Sequence, residues 1–187
     1  MDMLGVGSAG FILFILYDLN QMKKNSVWLK PLFALGCLLI IGSTGMMIGT
    51  PFSGDIQVSG FVAVSFMVLS ILNLILLIYT LFFAIPFHQA YVEGNKQNLC
   101  TEGIYSLSRH PGVLFFFSFY LFLGISLGKP LVLIAGVVFT CLNILYVFLQ
   151  DRYFFPVSFQ GYDAYKKTTN FIFPSRKSIK SCIRYYI

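Results

Sequence analysis

Three short stretches hold most of the side chains in this sequence that could bind or transfer a chemical group. The first is GIYSLSRHPG, which places Tyr105 and the Arg109–His110 pair ahead of Pro111 and a phenylalanine-rich apolar run. Pro111 suits the first turn of a helix and biases His110 away from helical backbone. Arg109 and His110 then stand just outside a helix N-terminus, where free N–H groups and the helix dipole favour a carboxylate or phosphate. The simpler alternative is a snorkelling arginine anchor beside a loop histidine. The second stretch is LQDRYFF, with Gln150, Asp151 and Arg152. Asp151 either accepts hydrogen bonds from ligand hydroxyls and balances a cation, or forms a plain helix-end pair with Arg152. The third is GYDAYKKTTNFIFP, whose Tyr162, Tyr165 and Lys166–Lys167 suit an interfacial helix, or a plug for the ends of a bundle. Cys37, Cys100, Cys141 and Cys182 are scattered without metal-ligand spacing, so no metal site is expected.

The elements that must position these groups follow from composition. Of 187 residues 57% are hydrophobic, 11% are charged and 21 are Phe, more apolar surface than a soluble domain of this size can hide. The apolar runs are continuous rather than alternating, which selects helices over a barrel. The expected fold is all-α: a polytopic membrane protein, one domain over 1–187, with about five transmembrane helices and an amphipathic C-terminal segment in the cytosol. The spans fall near 4–19, 32–48, 58–87, 112–127 and 131–149, with a tail over 150–187. The first run lacks a basic flank and a cleavage site, and reads as a retained span. The third run is too long for a core of ~30 Å, so it tilts or projects, and Pro86 ends or kinks it. Lys129–Pro130 makes spans four and five a tight hairpin. Within span two, Gly36, Gly42, Gly45 and Gly49 are small residues spaced for close helix packing, and Asn73 and Asn143 read as interhelical hydrogen-bond partners.

Charge sets the expected orientation. Lys23, Lys24, Lys30, Lys96, Arg109, Arg152 and the basic tail all fall on one side of a five-span chain, leaving Lys129 opposite. The positive-inside rule places that side in the cytoplasm and the N-terminus outside. The net charge of +6 is thus a topology signal, with no separate basic domain for nucleic acid. Tail cations can also touch anionic membrane lipid.

Taken in order, LCTEGIYSLSRHPG, the two-span hairpin, QDRYFF and YDAYKKTTNFIFP resemble the isoprenylcysteine carboxyl methyltransferase family, a broad group that includes membrane phospholipid methyltransferases. The resemblance covers about residues 97–174. It implies an S-adenosylmethionine-dependent methyltransferase whose cofactor site faces the cytosol and whose lipophilic acceptor, prenyl or lipid, enters from the bilayer. Carried onto this chain, it implies that Gln97, Leu99, Gly103, Tyr105, Arg109, His110, Pro111, Gln150 and Asp151 line the cofactor site. Arg109, His110 and Asp151 would be the catalytic set. Gln97 stands where the family usually has His, Val113 and Phe115 where it commonly has Tyr and Gly, and Gln150–Asp151 where it has paired glutamates. Pro156 is expected to interrupt the helix there. Methyl transfer requires alignment and exclusion of water rather than a covalent nucleophile, and Arg109, Tyr105 and Asp151 are of the types it uses. Two further readings are a non-catalytic lipid-binding or partner module on the same fold, and an NADPH-dependent sterol-type membrane reductase.

Overall fold

The computed structural model describes residues 3–23, 26–83 and 99–187. Among the described residues all regular structure is helical. Five apolar helices form the body: α1 (Met3–Lys23), α2 (Leu32–Gly49), α3 (Gly60–Ile78, continued by a π turn Tyr79–Phe83), α4 (Pro111–Leu127) and α5 (Pro130–Leu149). Two short helices follow, α6 (Tyr162–Thr168) and α7 (Arg176–Tyr186). Four of the apolar helices are long enough to cross a bilayer, and α4 is a shorter one. The outward faces carry exposed Ile12, Ile41, Phe61, Val64, Val137 and Phe148. Water would not tolerate such a surface, and a lipid solvent does. The chain is an all-α polytopic membrane protein.

Neighbours in the bundle run α2, α1, α5, α4, α3. Its centre is filled by Tyr120, Phe139, Met47, Val132 and Ala135. Apolar burial drives little association where lipid is the solvent, so close packing and side-chain hydrogen bonds must hold the helices together. Thr44 Oγ1 and Tyr120 OH lie 2.7 Å apart between α2 and α4. On the α3–α4 seam, Ser70 and Ser126 donate to the carbonyls of Phe119 and Ala63. A Cβ on Gly10 would stand 2.7 Å from the Gly36 carbonyl, which is why α1 and α2 approach so closely.

The α4–α5 hairpin follows from three consecutive residues. Gly128 adopts the left-handed conformation (φ 62°) that ends α4, Lys129 bonds back to Gly124, and Pro130 begins α5. The preceding loop closes over this corner: Ile56 N–H donates to the Gly128 carbonyl, and Lys129 Nζ reaches Asp55 at 2.6 Å. At the other end, Asn20 brackets Ser26 by donating to its carbonyl and accepting from its N–H, so the chain turns back after α1.

The structure differs from the sequence reading at several places. The first helix runs four residues beyond the expected span, to Lys23. The α3 helix gives way to the π turn at Tyr79, and Pro86 lies outside the described residues. Pro156 does not interrupt the last helix: the π turn Gln150–Phe154 precedes it, with Phe155 N–H bonding the Gln150 carbonyl, and Phe155–Ser158 is helical again. A wider turn removes the clash that proline makes with the carbonyl four residues back. Finally, Gly42, Gly45 and Gly49 face open space, and only Gly36 of that set packs tightly. Asn73 bonds the Leu69 carbonyl of its own helix rather than a neighbour.

A Cβ on Gly128 would collide with the Ile56 backbone carbonyl, and backbone cannot rotate away as a side chain can. Gly128→Ala is therefore expected to cost about 1–3 kcal/mol. Gly42→Ala should fall within about 0.5 kcal/mol of the parent. Thermal unfolding of the two variants in the same detergent checks the contrast.

Candidate functional site

The hairpin and the π turn together bring the first two chemical stretches into contact. Arg109 precedes α4, Asp151 follows α5, and the hairpin makes those ends neighbours. His110 has φ −129° and ψ 61°, outside helical backbone as a residue before proline should be. Its segment is clamped from the far side: Arg109 N–H and His110 N–H donate to the carbonyls of Asn170 and Phe171 at 2.8 and 3.0 Å. The third stretch thereby joins the other two.

Asp151 is the centre of the cluster. Its Oδ1 accepts from Arg109 Nε at 2.8 Å and from Tyr162 OH at 2.7 Å. Its Oδ2 lies 3.4 Å from Arg109 Nη2 and 3.1 Å from Lys166 Nζ, and Lys166 also donates to the Asp151 carbonyl. Arg109 Nη1 donates to the carbonyls of Lys166 and Thr169 at 3.0 and 2.8 Å. The guanidinium also lies over the Phe171 ring, 5.6 Å from its centre. A near-buried carboxylate this well supplied with donors is held ionised and in one place. Arg152, the alternative partner read from sequence, is exposed and takes no part in this cluster.

His110 and Ser108 stand apart from this saturation. His110 is sandwiched by aromatic rings, stacked on Phe155 at 5.7 Å and edge-on to Phe171 at 5.1 Å. Its Nε2 lies 3.6 Å from Asp151 Oδ1, too long for a hydrogen bond. Among the described residues, His110 Nε2 and Ser108 Oγ are buried without a hydrogen-bond partner. Native interiors rarely leave such groups unsatisfied, so both call for a partner. Burial pushes the His110 pKa below the ordinary 6.5, opposed by the Asp151 carboxylate, so the imidazole is neutral at neutral pH. Burial and the bond to Asp151 raise the Tyr162 phenol well above its usual range. Burial and the neighbouring Tyr105 do the same for Tyr165.

The turn Gly103–Ser106 adjoins the cluster through Tyr165. Gly103 has φ +57°, which glycine adopts without strain, and a Cβ there would also stand 2.9 Å from the Tyr186 hydroxyl. Tyr105 OH donates to the Thr80 carbonyl at 2.9 Å, and the Tyr105 carbonyl accepts from Tyr165 OH. Leu99 is half-buried at the start of this segment, and Pro111 is buried at the first position of α4. Gln150 points elsewhere: Nε2 donates to Asp18 Oδ2 and Tyr146 OH, at 2.9 and 2.8 Å. Successive helix positions diverge by about 100° even where the next residue faces the cluster. Gln97 lies outside the described residues.

Of the sequence candidates, the structure thus gathers Arg109, His110 and Asp151, with Tyr105 and Gly103 on the adjoining turn. It adds Ser108, Phe155 and Phe171, which no motif or charge pattern marks. It also gives Tyr162 and Lys166 a direct bond to Asp151, where the sequence offers only an interfacial pattern. The arrangement can order a loop, hold a neutral imidazole in a dry slot and present two unsatisfied polar atoms. A half-open groove of about 280 Å³ lies on the lipid face between α1 and α5, lined by Phe11, Ile15, Leu142 and Leu145 among others. No metal-binding cluster of His, Cys, Asp or Glu occurs among the described residues. The sequence matches no protein-family model, no curated protein and no solved structure.

Three outcomes follow from this geometry. Asp151→Asn leaves Arg109 and Lys166 without their shared anion in a nearly buried setting, and should cost about 3 kcal/mol in thermal or denaturant unfolding. Tyr162→Phe removes one hydrogen bond and should cost about 1–2 kcal/mol. The His110 pKa is below that of the unfolded chain, so above pH 6.5 it leaves stability unchanged. As pH falls below that value the unfolded chain binds a proton that the native state does not, and stability drops. His110→Asn should flatten that part of the stability–pH curve.

Proposed function

We propose that this chain is an integral membrane methyltransferase that uses S-adenosylmethionine and acts on a lipophilic acceptor, in the manner of isoprenylcysteine carboxyl methyltransferases and their phospholipid-methylating relatives. The observation that carries this reading is the meeting of three stretches, remote in sequence, around Asp151. Arg109, Asp151 and Tyr162 come from different stretches and share direct hydrogen bonds. The ends of α1, α3 and α5 lie with them, as the Asp18–Gln150 and Tyr105–Thr80 bonds show. By the positive-inside rule this basic end faces the cytoplasm, where the methyl donor is available, and the N-terminus lies outside.

The fit of the chain to the cofactor divides the site residues by role. Arg109 already makes four hydrogen bonds within the chain, and Asp151 is fully engaged. Both therefore act as positioning residues that fix the His110–Pro111 corner against α5. The groups with unused capacity are His110 Nε2, Ser108 Oγ and the remaining Nη2 hydrogen of Arg109, and these would hold the cofactor, roofed by Leu99, Gly103 and Tyr105. When bound, S-adenosylmethionine supplies an electrophilic methyl group on a sulfonium. Phe155 and Phe171 exclude water from His110. A carboxylate acceptor needs no base. With an amine or hydroxyl acceptor, the neutral His110 takes up the proton at Nε2.

The same saturation of Arg109 and Asp151 favours a second reading, a lipid-binding or partner module without catalysis, because a clasp that satisfies itself needs no ligand. One measurement separates them: equilibrium binding of labelled S-adenosylmethionine and of NADPH to the full chain in nanodiscs. The methyl donor should bind, NADPH should not, and His110→Ala should weaken binding about tenfold, the equivalent of one hydrogen bond. His110→Ala must retain the parent's thermal transition. A folded parent that binds neither compound establishes the non-catalytic module, and one that binds NADPH alone establishes the reductase.

A further inference from the structure

Helix α7 differs from every other helix in this chain. A capping box starts it: Ser178 N–H donates to Ser175 Oγ at 3.1 Å, and Ser175 N–H to Ser178 Oγ at 3.3 Å. It is therefore a defined helix and not a fraying end. At about 100° per residue, Arg176, Lys177, Lys180 and Arg184 fall on one face. Ile179, Cys182, Ile183 and Tyr186 recur on the adjoining face at the spacing of an apolar stripe. The helix holds no acidic residue, and among the described residues none of its cations forms an ion pair. Ile179 and Ile183 remain 41% and 52% exposed, so the bundle leaves this stripe uncovered.

The depth of the helix is fixed by one contact. Tyr186 OH lies 3.1 Å from Tyr79 OH, where α3 passes into its terminal π turn. That bond raises the Tyr186 phenol to about 12, so the hydroxyl stays neutral. Leu81 and Phe83 of the same turn point outward and are exposed. The C-terminal end of α7 therefore sits beside the last turn of the α3 span, close to the level of the lipid headgroups. Four cations beside an open isoleucine stripe at that level match phosphates above and acyl chains below.

We propose that α7 is an interfacial docking helix for anionic phospholipid, and that the lipid it binds holds the Gly103 turn in place. The second part follows from packing, since the Tyr186 hydroxyl and the Tyr185 ring crowd the place a Cβ on Gly103 would take. The same turn joins the site through the Tyr105 carbonyl, which accepts from Tyr165 OH. The inference does not depend on methyl transfer.

The test uses the full chain with Trp28→Phe and Ile183→Trp, leaving a single indole on the apolar stripe, in nanodiscs of brominated phosphatidylglycerol or brominated phosphatidylcholine mixed with the same unlabelled lipid. At equal mole fraction the anionic quencher should quench about twofold more. That preference should vanish at about 1 M salt, where the Debye length is about 3 Å. Lys177→Glu with Lys180→Glu and Arg184→Glu should abolish it at low salt. The salt comparison needs no charge variant, so it stands if the triple variant does not fold. Equal quenching by both lipids at low salt overturns the proposal, because the helix then reads only the interface. Absence of quenching by either also overturns it, because the helix is then away from the bilayer.

Discussion

The polar end of this molecule depends on one carboxylate. Asp151 draws Arg109, Tyr162 and Lys166 onto itself, and they bring two different parts of the chain. Arg109 brings the approach to α4, and Tyr162 and Lys166 bring α6. Arg109 then reaches past the carboxylate to the backbone of α6 and the residue after it, so the same ion pair orders the connection that follows α5. In a water-filled setting an ion pair of this kind contributes little. Here both partners are about nine-tenths buried, and loss of either strands the other in a poor solvent for charge.

The apolar body obeys different physics. Its helices gain little by hiding leucine from lipid, so specificity comes from shape and from a few polar contacts across helices. Gly10 against Gly36, Gly136 against Tyr120 and the Thr44–Tyr120 bond fix which faces meet. The hairpin turn at Gly128 then sets the register of α4 on α5. That register lets Arg109 meet Asp151 more than forty positions away, so the ionic cluster is a consequence of packing at the opposite end of the bundle.

The cluster in turn separates holding from doing. Residues that look most chemical in the sequence, Arg109 and Asp151, are the ones most completely engaged with the chain itself. Among the described residues of the cluster, the unsatisfied polar atoms are on His110 and Ser108, with Thr140 a further one within α5, and the aromatic rings of Phe155 and Phe171 flank the histidine. A site built this way keeps its strong charges for architecture and leaves weaker, neutral groups to meet a ligand.

Helix count, the hairpin at Lys129–Pro130, the non-helical backbone before Pro111 and the gathering of cations at one end are all written locally. Each depends on a run of hydropathy or on one residue's backbone preference, and neither needs a distant partner. The partner of Asp151 is not written that way: sequence leaves Arg152 beside it as an equal candidate, and only folding brings Arg109 and Lys166 closer. Gln150 looks equivalent to Asp151 in the sequence yet faces Asp18, because a helix turns by about 100° between neighbours. Gly45 and Gly49 have the spacing of a packing motif and face open space, because spacing does not say which helix lies opposite. Local chemistry decided where this chain is helical. Tertiary structure decided which charges are neutralised and which polar atoms remain to be satisfied, since that depends on which helix faces come together.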